Sequence, residues 1–512
     1  MSRSKVVIAL LVIMVLIATG CNTANPAPSQ STGSNQQPEK KTSAIIALWA
    51  EPTSICSGFN SKSYNNVVSH EMLESLIEHH DDGTFTPLLA TSWEFVNNNK
   101  DIQFKLRENV YFSNGEKMTV DDVVFSYNTI IDTGFVDNLC GAMDHMEKID
   151  ENTVLLVFEA PYGPALLSVA SSAMCIFPQA YYEANKDTFI RQPVGTGPYK
   201  LVEWKTGDYV ALTANEHYWG DAPAIKDITY KFFYDTNAAT IALESGEIDV
   251  LLTVPTSDKQ RLINDSNIQL NSSESLTRTW VFFNHEGIFA DENVRLAVAY
   301  GINKGDVLLG AVEGDGILLE SISPSMLAGV DPNYKAPGNN QDKARELLAQ
   351  AGYPDGFDVT IKTPSEANFL RPLEIVQGQL SEIGINITIE KVELGAWYAD
   401  VFEAGDYVMG VQYDTMAIAD MDDLRVLYRS GQFLNTGFVE YPELDEYFDA
   451  YRWTAAGPER TQIGYNLNRF MGDHAIVVPM YGVNNHIAAN ADMKGIEARV
   501  SKGDYTAKYW SW

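Results

Sequence analysis

The chain is 512 residues long and 45% hydrophobic, with 25 Tyr and 22 Phe, so it carries enough apolar material for several cores and global disorder is excluded. Its 68 acidic residues outnumber 36 basic ones, leaving a formal charge of −32 at pH 7. So acidic a chain repels phosphate backbones and anionic headgroups, which argues against nucleic-acid binding and leaves cationic or zwitterionic ligands open.

Residues 1–20 read as a secretory signal: basic Arg3 and Lys5, an apolar run from Val6 to Ala18, then Thr19 and Gly20. That run is short against the about 20 residues of a spanning helix; a membrane anchor is the alternative. The segment Ile17 to Cys21 resembles a bacterial lipobox, with Ala18 where Leu is usual. The resemblance implies cleavage before Cys21 and lipidation of its sulfur, and two acyl chains suffice for stable anchoring to membrane lipid. Residues 21–43 then form a lipid-anchored linker, polar and without large apolar side chains, with a typical reach of about 25 Å. Cys56, Cys140 and Cys175 remain, an odd number that allows at most one internal disulfide. They read as small buried apolar residues, with a Cys140–Cys175 bridge as the alternative.

From Ala44 the body mixes period-two and period-3.6 segments throughout, an α/β pattern. Ile102, Phe104 and Leu106 alternate with Gln103, Lys105 and Arg107, which predicts a strand with one buried face. Thr119 caps a predicted helix from Val120 to Ile131, and Asp122 occupies the capping-box position where Glu is preferred. Ile228, Tyr230 and Phe232 predict another half-buried strand. Ala344, Leu347, Leu348 and Ala351 make a helical stripe ending at Gly352, before a strand through Phe357, Val359 and Ile361. Pro372 suits the first turn of a helix with Leu373, Val376, Leu380 and Ile383 on one side; Gly384 stops it, and a strand through Ile385, Ile387 and Ile389 follows. No fixed-period repeat extends further, which argues against a solenoid.

Catalytic signatures are missing. The eight histidines, His70, His79, His80, His145, His217, His285, His474 and His486, form no HExxH motif and no i, i+4 pair. His79 and His80 abut Asp81 and Asp82, a metal-binding combination when it converges, but adjacent residues on a turn face water. There is no GxSxG elbow and no Walker loop. The turn Gly195 to Lys200 lacks a third glycine, and Pro198 removes a backbone donor that a phosphate needs. Asp420, Asp422 and Asp423 resemble the start of a calcium loop without its glycine. Nothing singles out a carboxylate pair for glycoside hydrolysis.

Several ordered segments carry a resemblance. Pro87 to Asn128 sets a Pro-Leu-Leu-Ala opening, Trp93, an alternating strand, a Phe-x-x-Gly turn and a helix opened by Asp-Asp-Val. PVGTGPYKLVEW from Pro193, Tyr218 with Trp219, and ESGEIDV from Glu244 follow. FFNHEGIFADENVRLAVAYGINKGDVL and KARELLAQAGYPDGFDVTI with LSEIGINITIE complete the series. Together they resemble the solute-binding lipoproteins of ABC importers for peptides, nickel and related solutes, the extracellular family 5 binding proteins, over nearly the whole mature chain. The resemblance implies an α/β fold of the type II periplasmic-binding-protein kind, with two lobes joined by crossing strands and an extra α/β domain. It divides the chain into a first lobe of residues 44–86, 185–276 and 479–512, an extra domain at 87–184 and a second lobe at 277–478. The implied function is capture of an oligopeptide or dipeptide between the lobes and delivery to an ABC permease, by a monomer without cofactor or metal, anchored outside the cytoplasm.

Site residues transfer where motifs match. Trp397 matches a family tryptophan that lines the pocket, where an aromatic face stacks on a side chain or attracts a cation; a core role is the alternative. Asn284 matches a family Asn near the cleft, with a backbone-fixing role as its alternative. Ser61 and Ser63 lie in the polar loop after the first strand, where family members meet ligand backbone, or they are solvated. Peptide receptors place an Asp three residues before an Asp-Pro; here Asp420 and Met421 match that pair and put Ala417 at the anchor. Asp414 or Asp420 is the candidate substitute. Nickel receptors use an Arg in the stretch matching Ser168 to Phe177, which contains none. Peptide is thus favoured over nickel chelate; an extracytoplasmic hydrolase and a peptide sensor are the remaining alternatives.

Overall fold

Burial turns the alternating segments into strands. On β1 (Ser43–Leu48), Ile46 and Leu48 are inaccessible to solvent and anchor the first core. The computed structural model describes residues 41–60, 62–134 and 141–512, so the expectations for Cys21, Ser61 and Cys140 fall outside the described residues. After the helix Ser63–Met72 come the hairpin β2 (Ile77–His79) and β3 (Phe85–Pro87). An antiparallel sheet follows in the order β4-β5-β7-β6, from β4 (Ala90–Val96), β5 (Asp101–Leu106), β6 (Met143–Asp150) and β7 (Thr153–Phe158). The helix Val120–Thr133 crosses between β5 and β6 in sequence; Thr119 and Asp122 form its capping box, so the shorter carboxylate serves.

The chain returns through β8 (Tyr199–Lys205), β9 (Tyr209–Ala214), β10 (Asp227–Phe232) and β11 (Val250–Leu251). It then enters β12 (Ile268–Phe283), passes β13 (Gly316–Leu318), and pairs β14 (Phe357–Pro364) in parallel with β15 (Ile385–Val392). The last strands are β16 (Met409–Thr415) and β17 (Val477–Asn490). One large sheet runs β16-β12-β17-β11-β1-β10-β9-β8, with β13 beside β17. β1 is parallel to both β10 and β11.

Two sets of cores lie along that sheet. The first gathers Ile46, Leu48, Val68, Tyr199 and Ile228 with Phe104, Val123, Ile130 and Phe177, so the four-stranded sheet packs as part of the same apolar cluster. The second holds Val281, Val298, Leu348, Ile361, Val376 and Val411, with a neighbouring cluster around Phe282, Trp397, Met421 and Phe448. β17 serves both, through Ile487 and Ala489 in the first and Val478 and Met480 in the second, and its register with β12 shifts between Glu274 and Arg278. This is the two-lobe α/β fold with crossing strands. Beside the crossing, Asp315 accepts hydrogen bonds from Lys259 at 2.7 Å and Asn484 at 3.1 Å and lies 2.6 Å from His486 Nε2.

One helix boundary differs from expectation. The helix carrying Leu373, Val376 and Leu380 spans Ala367–Ser381, which puts Pro372 inside it rather than in its first turn. The missing amide leaves the Asn368 carbonyl without its helical donor, and burial of the apolar side sustains the helix across that gap. Cys56 and Cys175 are both buried, with sulfurs 3.4 Å apart, and burial pushes the Cys56 thiol up. Among the described residues no helix is long and apolar enough to cross a membrane.

Candidate functional site

A cavity of about 860 Å³ opens where three parts of the chain meet. The helix Ser63–Met72 and the β2–β3 hairpin contribute Asn66, His70, Glu74, Glu78, His79, Asp81 and Asp82. The C-terminal segment adds Arg499, Asp504 and Lys508, and the four-stranded sheet and the short helix Ala165–Ala170 that follows it add Phe95, Leu166, Leu167 and Ala170. Met326, Leu327, Ala417, Ile418, Asp420 and Arg460 complete the lining from the other lobe. The volume falls within the range of about 300–1,000 Å³ usual for small-ligand sites.

Among the described residues six carboxylates line the cavity against three permanent cations, so it favours cationic groups. Glu74 is buried and accepts from Thr196 Oγ1 and Trp219 Nε1 at 2.8 Å each and from the Tyr218 hydroxyl at 3.2 Å. Burial nonetheless pushes its carboxyl up. Asp81 accepts from Arg499 Nε at 3.0 Å and from the Val500 amide at 3.2 Å. Burial also pushes the His79 imidazole below its usual range, against the pull of Asp504 and Asp81. Arg460 grips Asp420 with Nη1 and Nη2 at 2.7 Å each, and this pair outweighs burial in holding the guanidinium high.

Of the described candidates, Asp420 alone reaches the cavity, and its charge is already matched by Arg460. Trp397 is 1% exposed and lies among Phe282, Phe369 and Phe402, with Nε1 donating to the Lys362 carbonyl at 3.2 Å. Its aromatic faces are spent in the core. Asn284 donates to the carbonyls of Gly405 and Tyr407 and accepts from the Glu286 amide, which fixes the backbone leaving β12. Ser63 is exposed at the start of its helix, outside the cavity lining. Asp414 ends β16 opposite Arg278, also outside the lining; burial raises its carboxyl while Arg278 opposes the rise.

Sequence reasoning missed Glu74, Glu78, Asp504 and Lys508. The run from His79 to Asp82 was the available signal, and the structure places three of its members, His79, Asp81 and Asp82, in the wall. Their partners come from the far end of the chain, as when the Tyr509 hydroxyl donates to Glu78 across 431 positions.

Comparison with known proteins agrees with this geometry. An oligopeptide-binding protein, AppA of Bacillus subtilis, is 23% identical over all of this chain and 99% of its own length. A nickel-binding periplasmic protein of Escherichia coli is 24% identical over 84% of this chain and 88% of its own. The solved structure of the Helicobacter pylori periplasmic binding protein DppA, in complex with the peptide STSA, superposes with a TM-score of 0.77. It is 23% identical, covering 92% of this chain and 98% of that one. The family model described as the middle region of bacterial extracellular solute-binding proteins, family 5, matches residues 84–434. With two lobes, crossing strands and a cavity bounded by both, the chain belongs to the bacterial extracellular solute-binding proteins of family 5.

Proposed function

We propose that this protein is the substrate-binding lipoprotein of an ABC importer, which captures a short peptide in the interlobe cavity and hands it unaltered to the permease. The observation that carries the reading is the cavity itself, lined from both lobes of a chain strung on β12 and β17. A guest touching both walls stabilises the closed arrangement by its differential affinity for it. Converting a mostly open population into a mostly closed one takes about 5.5 kcal/mol of such preference. The permease then distinguishes loaded from empty receptors.

The acidic lining supports an amine-bearing solute, and the oligopeptide-binding relative supports a peptide. The partition into a first lobe of residues 44–86, 185–276 and 479–512, an extra domain at 87–184 and a second lobe at 277–478 is supported by the separate four-stranded sheet within 87–184. Lipidation at Cys21 tethers the monomeric receptor to the membrane; replacing Cys21 with Ala is expected to release it into the soluble fraction. Thermal-shift measurements across short peptides, nickel chelates and sugars test the solute. Stabilisation by peptides is expected, and a response confined to the other two classes overturns the peptide reading.

A further inference from the structure

We propose that the cavity reads its guest asymmetrically: the first lobe holds the free ammonium of a short peptide at Glu78 and Asp504, while the other walls hold its apolar side chains. The inference rests on the peptide reading above and adds which wall recognises charge and which class of peptide follows.

Unspent valence separates the walls. On the second-lobe wall the only charges among the described lining residues are Asp420 and Arg460, each 6% exposed and joined by two bonds of 2.7 Å. A ligand that took either one would strand the other as a buried unpaired charge, so this pair is structural. The rest of that wall is Met326, Leu327, Ala417, Ile418 and neighbouring alanines. Among the described residues the four-stranded sheet and the short helix after it contribute no charged residue to the lining, only groups such as Leu166 and Leu167 with Ser171 and Ser172 beside them. Apolar side chains gain by covering these surfaces and charged ones lose hydration there.

All remaining charge sits on the first-lobe wall, where most of it is also committed. Glu74 is saturated by three donors, Asp81 is closed by Arg499 and Val500, and Asp82 accepts from the Thr84 amide and hydroxyl. Glu78 has no cation in ion-pair range among the described residues, Lys508 and Arg499 acting on it only from farther off; its two oxygens share one hydroxyl, that of Tyr509, at 3.2 Å each. Among the described residues Asp504 has His70 Nε2 alone at ion-pair range, 3.5 Å, with Arg499 and His79 acting from farther off. These two carboxylates retain acceptor capacity that an ammonium with three donors can fill. Lys508 rests over the rings of Tyr218 and Tyr509, with no carboxylate in ion-pair range among the described residues and Glu74 and Glu78 acting from farther off, and offers a donor to the peptide's own oxygens.

Calorimetric titration of the full mature chain with trileucine, N-acetyl-trileucine and triserine tests this. Trileucine is expected to bind at least tenfold tighter than its acetylated form and than triserine. Glu78→Gln is expected to weaken trileucine about tenfold and to abolish most of the acetylation penalty, since the two changes remove the same contact. Asp504→Asn provides the second variant should Glu78→Gln unfold, and its acetylation penalty is expected to shrink likewise. Equal affinity for free and acetylated peptide, or an acetylation penalty unchanged in both variants, overturns the asymmetric reading while leaving a peptide receptor intact. Failure of every peptide to bind overturns both readings.

Discussion

Glu71 shows how much a single buried side chain holds. Its Oε1 accepts from the Tyr230 hydroxyl at 2.8 Å and the Ala507 amide at 2.7 Å, and its Oε2 meets Thr506 Oγ1 at 3.2 Å. Burial raises its carboxyl from 4.5 to about 7, against the pull of these donors. The fold therefore prefers the protonated acid. That contribution is complete below pH 4.5 and lost as pH rises through about 7, a change of about 3 kcal/mol. Glu71→Gln keeps the carbonyl acceptor and supplies a donor, so its denaturation curves are expected to lack this pH dependence. A variant retaining the wild-type slope between pH 4.5 and 7 overturns the assignment. Trp397→Ala is expected to lower stability by about 3–5 kcal/mol while leaving peptide affinity in the folded variant within a few-fold of wild type. Denaturant midpoints and calorimetry separate the two effects. In the sequence Trp397 could be core or pocket, because a lone tryptophan after a strand carries no directional signal; its burial against Phe282 and Phe369 comes from distant segments, and of these three neighbours only Phe402 is local.

Elements were legible where periodicity met a punctuating residue. The helix Val120–Thr133 follows its cap, and Thr119→Ala is expected to cost about 1 kcal/mol, read as a shifted unfolding midpoint. The parallel pair β14 and β15 follows its alternation, with Gly356 and Gly384 at the base of the two strands. Gly356 has φ +78°, and an added Cβ would stand 1.9 Å from the Gly384 carbonyl oxygen. Gly356→Ala is therefore expected to cost more than the about 1–2 kcal/mol of a left-handed backbone alone, with Gly83→Ala, at φ +81° in open space, as the milder control. The start of the helix Ala367–Ser381 was less legible, because proline commonly marks a first turn and here tertiary burial overrides it.

At the scale of the molecule, the family motifs made the two-lobe fold readable, whereas the cavity wall was not, since its charged groups come from ends of the chain that no local pattern links. Bound peptide is expected to reduce the radius of gyration in X-ray scattering, and dimensions that stay constant under saturating peptide overturn closure. Mass action adds about 2.7 kcal/mol of stability at a hundredfold excess over Kd.

The placement of β17 between β12 and β11 also orders events during biogenesis. Strand β11 has its second neighbour only once residues 488–489 have arrived, and β12 waits for the same strand along most of its length. Until then both sheet edges are bare and open to pairing with other chains. Completion of the tail thus gates maturation of both halves at once, and chains truncated before residue 477 are expected to bind holdases and proteases rather than persist as half-built receptors.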